Sequence, residues 1–138
     1  MTTKKVAWNT CLNQLFWFIN GSTDNKELQT VKVKIWNVNA SREFLDSRGL
    51  HHLKENDLGP IYGHQWRHFN APYTDCSEDY TGKGVDQLQK IITNLKDENT
   101  RSYRRLVMSA WNPGQIDEMA LPPCHVLCQC NVRNEKLD

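Results

Sequence analysis

Two adjacent prolines, Pro122 and Pro123, constrain the fold of this chain more than any other pair of residues. Proline locks its own φ near −65° and pushes the residue before it into extended backbone, so no helix passes through this point. The segment that follows, CHVLCQCNV (124–132), alternates and reads as a strand. An earlier strand, RRLVMSAW (104–111), is ended by Asn112-Pro113-Gly114. The first hundred residues are patterned differently. Trp8, Leu12, Leu15, Phe16 and Ile19 recur at helical spacing, and Asn20-Gly21 closes that helix. Asp24 with Glu27 resembles a capping box, and VKVKIW (31–36) alternates and reads as extended. Ser41 caps a short helix through Leu45, closed by Gly49. Residues 49–83 read as irregular, with turn signals in DLGP and NAP. Val85, Leu88, Ile91, Ile92 and Leu95 then line one face of a further helix. Arg133 to Lys136 form a hairpin turn with two residues after it, a pattern expected of a piece of something larger.

A chain of 138 residues has room for one domain with a modest core. Its net charge of +1 gives no bulk argument for nucleic acid or an acidic membrane, so an anionic ligand needs a local cluster. Arg104-Arg105 is the only arginine pair. The five cysteines are an odd number with three in one segment, unlike a secreted disulfide framework. MTTKKVAWN has no apolar core of signal-peptide type, and LFWFI (15–19) is too short to cross a bilayer. These features point to free thiols in a reducing, cytoplasmic setting.

Cys124 follows a stiff segment, which suits a nucleophile because placement matters as much as reactivity. A buried structural thiol is the plainer local reading. As a metal site the cluster is poor: Cys124, Cys128 and Cys130 share one strand face, His125 faces away, and no second knuckle exists. Arg104 and Arg105 can clamp a phosphate, or can be a solvated strand end beside Arg101. Trp36, Tyr62 and Trp66, interspersed with Asn39, His64 and Arg67, suit a flat ring ligand, or plug a core short of regular structure.

Taken in order, WFINGST, KIW, SREFLDSRG, DLGPIYGHQWRHF, GVDQLQ, RRLVMSAWNP and MALPPCH resemble the thymidylate synthase family, in its eukaryotic or large-virus form. The resemblance covers residues 1–138 as a partial domain, roughly the middle half of a family member, truncated at both ends. It implies an α+β fold with a mixed β-sheet packed against helices, in subunits that form a homodimer through their sheets. It implies reductive methylation of dUMP to dTMP with 5,10-methylenetetrahydrofolate as cosubstrate and no metal. Cys124 takes the place of the nucleophile, whose thiolate adds to carbon 6 of the uracil ring and makes carbon 5 reactive. His125 follows it as in the family. Arg104 and Arg105 match the pair that reaches across the dimer to the nucleotide phosphate. Trp36 and Asn39 match positions lining the folate ring, and Tyr62 matches the tyrosine of the proton network near carbon 5.

The chain departs from the family pattern at Gln14, where the family carries glutamate. An amide is nearly isosteric with a carboxyl but cannot take up or release a proton. The stretch from Lys96 to Tyr103 is also about two residues longer than the family's turn before the arginine pair. An inactive fragment or pseudoenzyme that binds a full-length subunit is therefore a second expectation. A pyrimidine nucleotide hydroxymethylase of the same superfamily is a third, because the base-reading residue falls outside the matched stretch.

Overall fold

The first helix, α1 (Trp8–Ile19), begins and ends where the sequence pattern places it. Its buried side is another matter. Trp17 and Phe18 are buried, while Trp8, Leu15 and Phe16 of the expected apolar stripe are exposed. Aromatic packing decides this: Phe18 lies 4.6 Å from Tyr62 and 5.4 Å from Trp66, and Trp17 lies 6.5 Å from Trp36. The chain leaves the helix through Gly21 at φ 79°, a left-handed conformation that glycine adopts without strain. The structure is a computed structural model that describes residues 5–133 and 136–137. The first four residues of the N-terminal segment, the hairpin tip at 134–135 and residue 138 lie outside the described residues.

Four further helices follow: α2 (Asn25–Thr30), α3 (Arg42–Ser47), α4 (Tyr62–His68) and α5 (Gln87–Lys96). Asp24 caps α2 through the Lys26 amide at 2.8 Å, Ser41 caps α3 through Phe44 at 3.2 Å, and Asp86 caps α5 through Gln89 at 2.8 Å. Three expectations are corrected here. VKVKIW is a series of turns: Lys32 is left-handed at φ 61°, and the amides of Val33 and Asn37 bond back to Leu28 and Lys34. With none of the described strands beside it, the segment satisfies its backbone locally and buries Val33 and Trp36. Residues 49–83 are not wholly irregular, since they contain α4. Val85 stands before α5 and pairs instead with Phe69.

The strands are shorter than their patterns. β1 (Val107–Ser109) pairs antiparallel with β2 (Leu127–Gln129), setting Met108 opposite Cys128. Arg104 and Arg105 therefore do not open a strand, and Cys124 and His125 precede one. β3 (Val132–Arg133) pairs with β4 (Lys136–Leu137), so the two ends of the expected hairpin do meet. The α+β class holds, with the described strands forming two antiparallel pairs.

α4 is the element on which the others rest, with Tyr62, Gly63, His64 and Gln65 all buried. A Cβ at Gly63 would lie 2.3 Å from the Ser22 carbonyl oxygen, so only glycine lets α4 sit this close to the end of α1. The Gln65 amide donates to Pro60 O at 2.8 Å and to Gln115 Oε1 at 3.0 Å, and accepts from Asn112 at 3.2 Å. Gln87 of α5 donates to Gln65 O at 2.8 Å and to Ser109 O at 2.7 Å, which ties β1 to the helices.

His64 is 1% exposed; its Nε2 donates to Ala71 O at 3.0 Å, while Nδ1 has no partner. Burial pushes its pKa from 6.5 down to about 4, so the folded protein holds it neutral. As pH falls below 6.5 the unfolded chain takes up this proton first, and stability present above that pH is lost towards pH 4. At about 1.4 kcal/mol per pH unit, the interval is worth about 3 kcal/mol. His64→Phe should flatten this decline, since Ala71 O keeps its bond from Gln115 at 2.9 Å. Urea unfolding of both proteins at pH 7 and pH 4.5 measures the difference.

Candidate functional site

Behind Pro122-Pro123 the chain emerges as an exposed corner carrying Cys124 and His125. The corner is held by one side chain. The hydroxyl of Tyr62, at the start of α4, accepts the Cys124 amide at 2.5 Å and the His125 amide at 3.2 Å. The two rings of Tyr62 and His125 lie 5.4 Å apart. Tyr62 in turn is wedged between Phe18, at 4.6 Å, and Trp36, at 6.3 Å. Aromatic packing thus fixes the tyrosine, and the tyrosine fixes the corner.

A cavity of about 250 Å³ opens between these elements. α1 contributes Gln14 and Phe18, and the turns between α2 and α3 contribute Ile35, Trp36 and Asn39. Tyr62 comes from α4, and Leu121, Cys124 and His125 from the proline corner. Six residues singled out from the sequence therefore meet in one place: Gln14, Trp36, Asn39, Tyr62, Cys124 and His125. Phe18, Ile35 and Leu121 line it as well and were missed by sequence reasoning. Phe18 was legible, since it stands one helical turn after Gln14.

Burial raises the Tyr62 pKa above its ordinary value, and the Cys124 side chain adds to that rise, so the hydroxyl keeps its proton at neutral pH. A hydroxyl has two acceptor lone pairs and one donor. Both backbone amides occupy the acceptor side, which leaves the proton free to donate. The Trp36 indole N–H is buried without a partner. A ligand carbonyl placed in the cavity would supply the acceptor it lacks, and the apolar walls of Phe18, Ile35 and Leu121 suit a flat ring.

The other sequence candidates lie elsewhere. Arg104 and Arg105 are exposed in the turn before β1 and do not line this cavity. Arg105 stands 6.0 Å from the Tyr103 ring and lines a separate cavity of about 450 Å³ against α5. Trp66 packs behind Phe18, and His64 points into the core. Arg67 is committed to Asp86 at 2.9 Å and to Ile19 O at 2.6 Å. Cys128, in β2, is exposed, and Cys130, just after it, is half-buried. Among the described residues no group of three or more histidine, cysteine or acidic side chains could hold a metal ion. None of the described helices is long and apolar enough to cross a membrane.

The fold and the site define an α+β chain that presents a thiol at a stiff corner beside a cavity of about 250 Å³. Comparison with known proteins identifies the family. The thymidylate synthase family model matches residues 1–138. The chain is 54% identical over 137 residues to the human (Homo sapiens) thymidylate synthase, covering 99% of this chain and 43% of that protein. It is 53% identical over 137 residues to the thymidylate synthase of Human herpesvirus 8 type P (isolate GK18), covering 99% of this chain and 40% of that one. Against the Candida albicans (strain SC5314 / ATCC MYA-2876) thymidylate synthase it is 58% identical over 130 residues, 94% of this chain and 40% of the other. The chain belongs to the thymidylate synthase family, and it spans about two-fifths of the length of these curated relatives.

Tyr62→Phe removes the acceptor shared by two amides. It should cost on the order of 1 kcal/mol and speed exchange of the Cys124 and His125 amide hydrogens by about fivefold or more. Denaturant unfolding and hydrogen exchange measure the two effects.

Proposed function

We propose that this chain is a thymidylate synthase in chemistry as well as in descent, acting on dUMP through a covalent adduct at Cys124. What supports the reading is the one cavity that brings Cys124, His125, Tyr62, Trp36, Asn39 and Gln14 together. When bound, 5,10-methylenetetrahydrofolate supplies the one-carbon unit and the hydride that convert dUMP to dTMP. The Cys124 thiolate adds to carbon 6 of the uracil ring, and the electron pair moves to carbon 5, which becomes nucleophilic. The stiff proline segment and the Tyr62 hydroxyl set the thiol over the ring. Trp36 and Asn39 hold the folate ring, with the unpartnered indole N–H as a donor to it. Tyr62 retains its proton and serves as a hydrogen-bond donor in the proton network beside carbon 5, whose own proton is lost to solvent before the Cys124 thiol leaves. His125, against the Tyr62 ring, closes the wall beside the nucleophile.

Gln14 limits this chemistry. Its amide hydrogen-bonds as a carboxyl does, but carries no transferable proton, so turnover falls by roughly a hundred- to ten-thousand-fold relative to glutamate. Arg104 and Arg105, exposed and outside the cavity, are in this reading offered to the nucleotide phosphate of a second subunit. A homodimer, or association with a full-length subunit, is therefore part of the proposal, in an intracellular, cytoplasmic setting. The amide at position 14 also favours a second reading, an inactive pseudoenzyme that binds a full-length subunit.

The test is incubation with fluorodeoxyuridylate and methylenetetrahydrofolate, followed by peptide mass spectrometry. The expected result is an adduct on Cys124, absent in Cys124→Ser. No adduct under conditions that label a full-length relative would overturn the claim of activity. Gln14→Glu should raise steady-state turnover by at least about tenfold; no change would remove position 14 from the proton relay. Light scattering with and without a full-length subunit tests the second reading.

A further inference from the structure

The arginine pair stands at the corner of a β-turn. The Leu106 amide donates to Tyr103 O at 3.1 Å, so Arg104 and Arg105 are the two central residues of that turn. Its backbone is tied down on both sides. Leu106 is fully buried and its carbonyl accepts the Cys130 amide at 2.8 Å, while Arg104 O accepts the Gln129 side chain at 3.0 Å. The Tyr103 amide donates to Thr100 O at 3.0 Å, which sets a further turn before this one. What stays adjustable is the direction of the two guanidiniums. Among the described residues neither arginine forms an ion pair.

Tyr103 borders the space on both sides of Arg105. A cavity of about 330 Å³ is lined by Ser102, Tyr103, Arg104 and Arg105, and there both guanidiniums can meet one anion. A larger cavity of about 450 Å³ lies between Arg105 and α5; Lys90 lines it too, and no acidic residue does. Arg105 stands over the Tyr103 ring, 6.0 Å from its centre, and Tyr103 is 47% exposed. Lys90 repels the guanidinium and no carboxylate lines that cavity to attract it, so the face of the ring is what holds Arg105.

We propose that Tyr103 is a positioning residue whose ring holds Arg105 apart from Arg104 until a phosphate draws the two guanidiniums together. This rests on the reading of the pair as a clamp for the nucleotide phosphate of a second subunit. Two like charges side by side repel, and the ring keeps one of them occupied while no anion is present. A cation–π contact at an exposed site is a weak hold, whereas a charge-assisted, bidentate bond to phosphate is strong. Phosphate therefore displaces the ring, at the cost of a fixed factor in affinity. The movement is confined to one side chain, so the turn and the strands keep their places. The contact belongs to the free subunit, and association that brings a nucleotide to the pair is the event that releases it.

The experiment is NMR of the dilute chain with isotope-labelled arginine, Arg105→Lys identifying the Arg105 signals. The Arg105 Cδ protons should lie upfield, under the ring, in the wild type and in Tyr103→Phe, and at their ordinary position in Tyr103→Leu. Titration with inorganic phosphate should abolish the upfield shift in the wild type. Phosphate should bind Tyr103→Leu about two- to fivefold more tightly than the wild type, with Tyr103→Phe matching the wild type. The phenylalanine variant separates the ring face from the hydroxyl and from bulk. Arg105 signals free of any ring shift in the wild type would sink the proposal, as would equal phosphate affinity in Tyr103→Leu and the wild type. No phosphate response at either arginine would instead sink the clamp reading on which it rests. Cys124→Ser should titrate as the wild type does, so a missing nucleotide adduct counts against the catalytic reading alone.

Discussion

The buried amide of Gln65 is the interaction around which the rest of the structure is arranged. It is fully buried, and every group near it is polar for a reason: Pro60 O, Gln115 and Asn112 each meet it within hydrogen-bond distance. A buried amide left without partners costs on the order of 1–3 kcal/mol per lost bond, so these segments stay together or the amide is stranded. Through Gln115 the network reaches Ala71, and through Gln87 it reaches β1. The segments that carry the proline corner and the strands are thus referenced to α4. So is Tyr62, three residues before Gln65 on the same helix, which holds the Cys124 corner.

That arrangement separates stability from chemistry. The buried hydrogen bonds of α4 are concentrated at Gln65, while the start of the helix presents Tyr62 to the cavity. Asp57 performs a similar task for the loop that returns from α4. Its carboxylate accepts the Gly59 amide at 2.9 Å, the Tyr73 hydroxyl at 2.7 Å and the Cys76 amide at 2.9 Å. Burial and this neighbouring carboxylate hold Tyr73 protonated, as a donor to Asp57. The loop therefore has a fixed shape although it has little regular structure.

Much of the helical half was legible because caps and stops are local. Ser41, Asp24 and Gly49 do in the structure what their chemistry predicts. The misreadings came from non-local causes. VKVKIW carries the period of a strand, but strand formation needs a neighbour and none of the described strands lies beside it, so turns satisfy its backbone. α4 was hidden because DLGP signals a turn truthfully and the helix begins two residues later, with its burial dictated by partners far along the chain. The stripe on α1 pointed the wrong way because three aromatics from other segments, Trp36, Tyr62 and Trp66, settled which side is covered. For the site, motif order brought out six of nine cavity residues; Ile35 and Leu121 are ordinary apolar residues whose place is set by tertiary packing.

Position 14 shows what geometry alone does and does not decide. Glutamine and glutamate have nearly the same shape, so the cavity keeps its form whichever is present, and on the proposed reading ring binding and thiol addition depend on that form. Proton movement depends on a titratable group, which an amide does not supply. On the proposed reading the substitution therefore separates two parts of one reaction that a carboxylate would couple. Anion binding is separated in the same manner: with net charge +1 the chain has no general field to draw a phosphate, and its arginine pair stands outside the cavity. On the proposed reading the positive charge comes to the nucleotide from a neighbouring copy or a longer subunit. On that reading assembly governs charge recognition, while the packing of Phe18 and Trp36 on Tyr62 fixes the corner that carries Cys124.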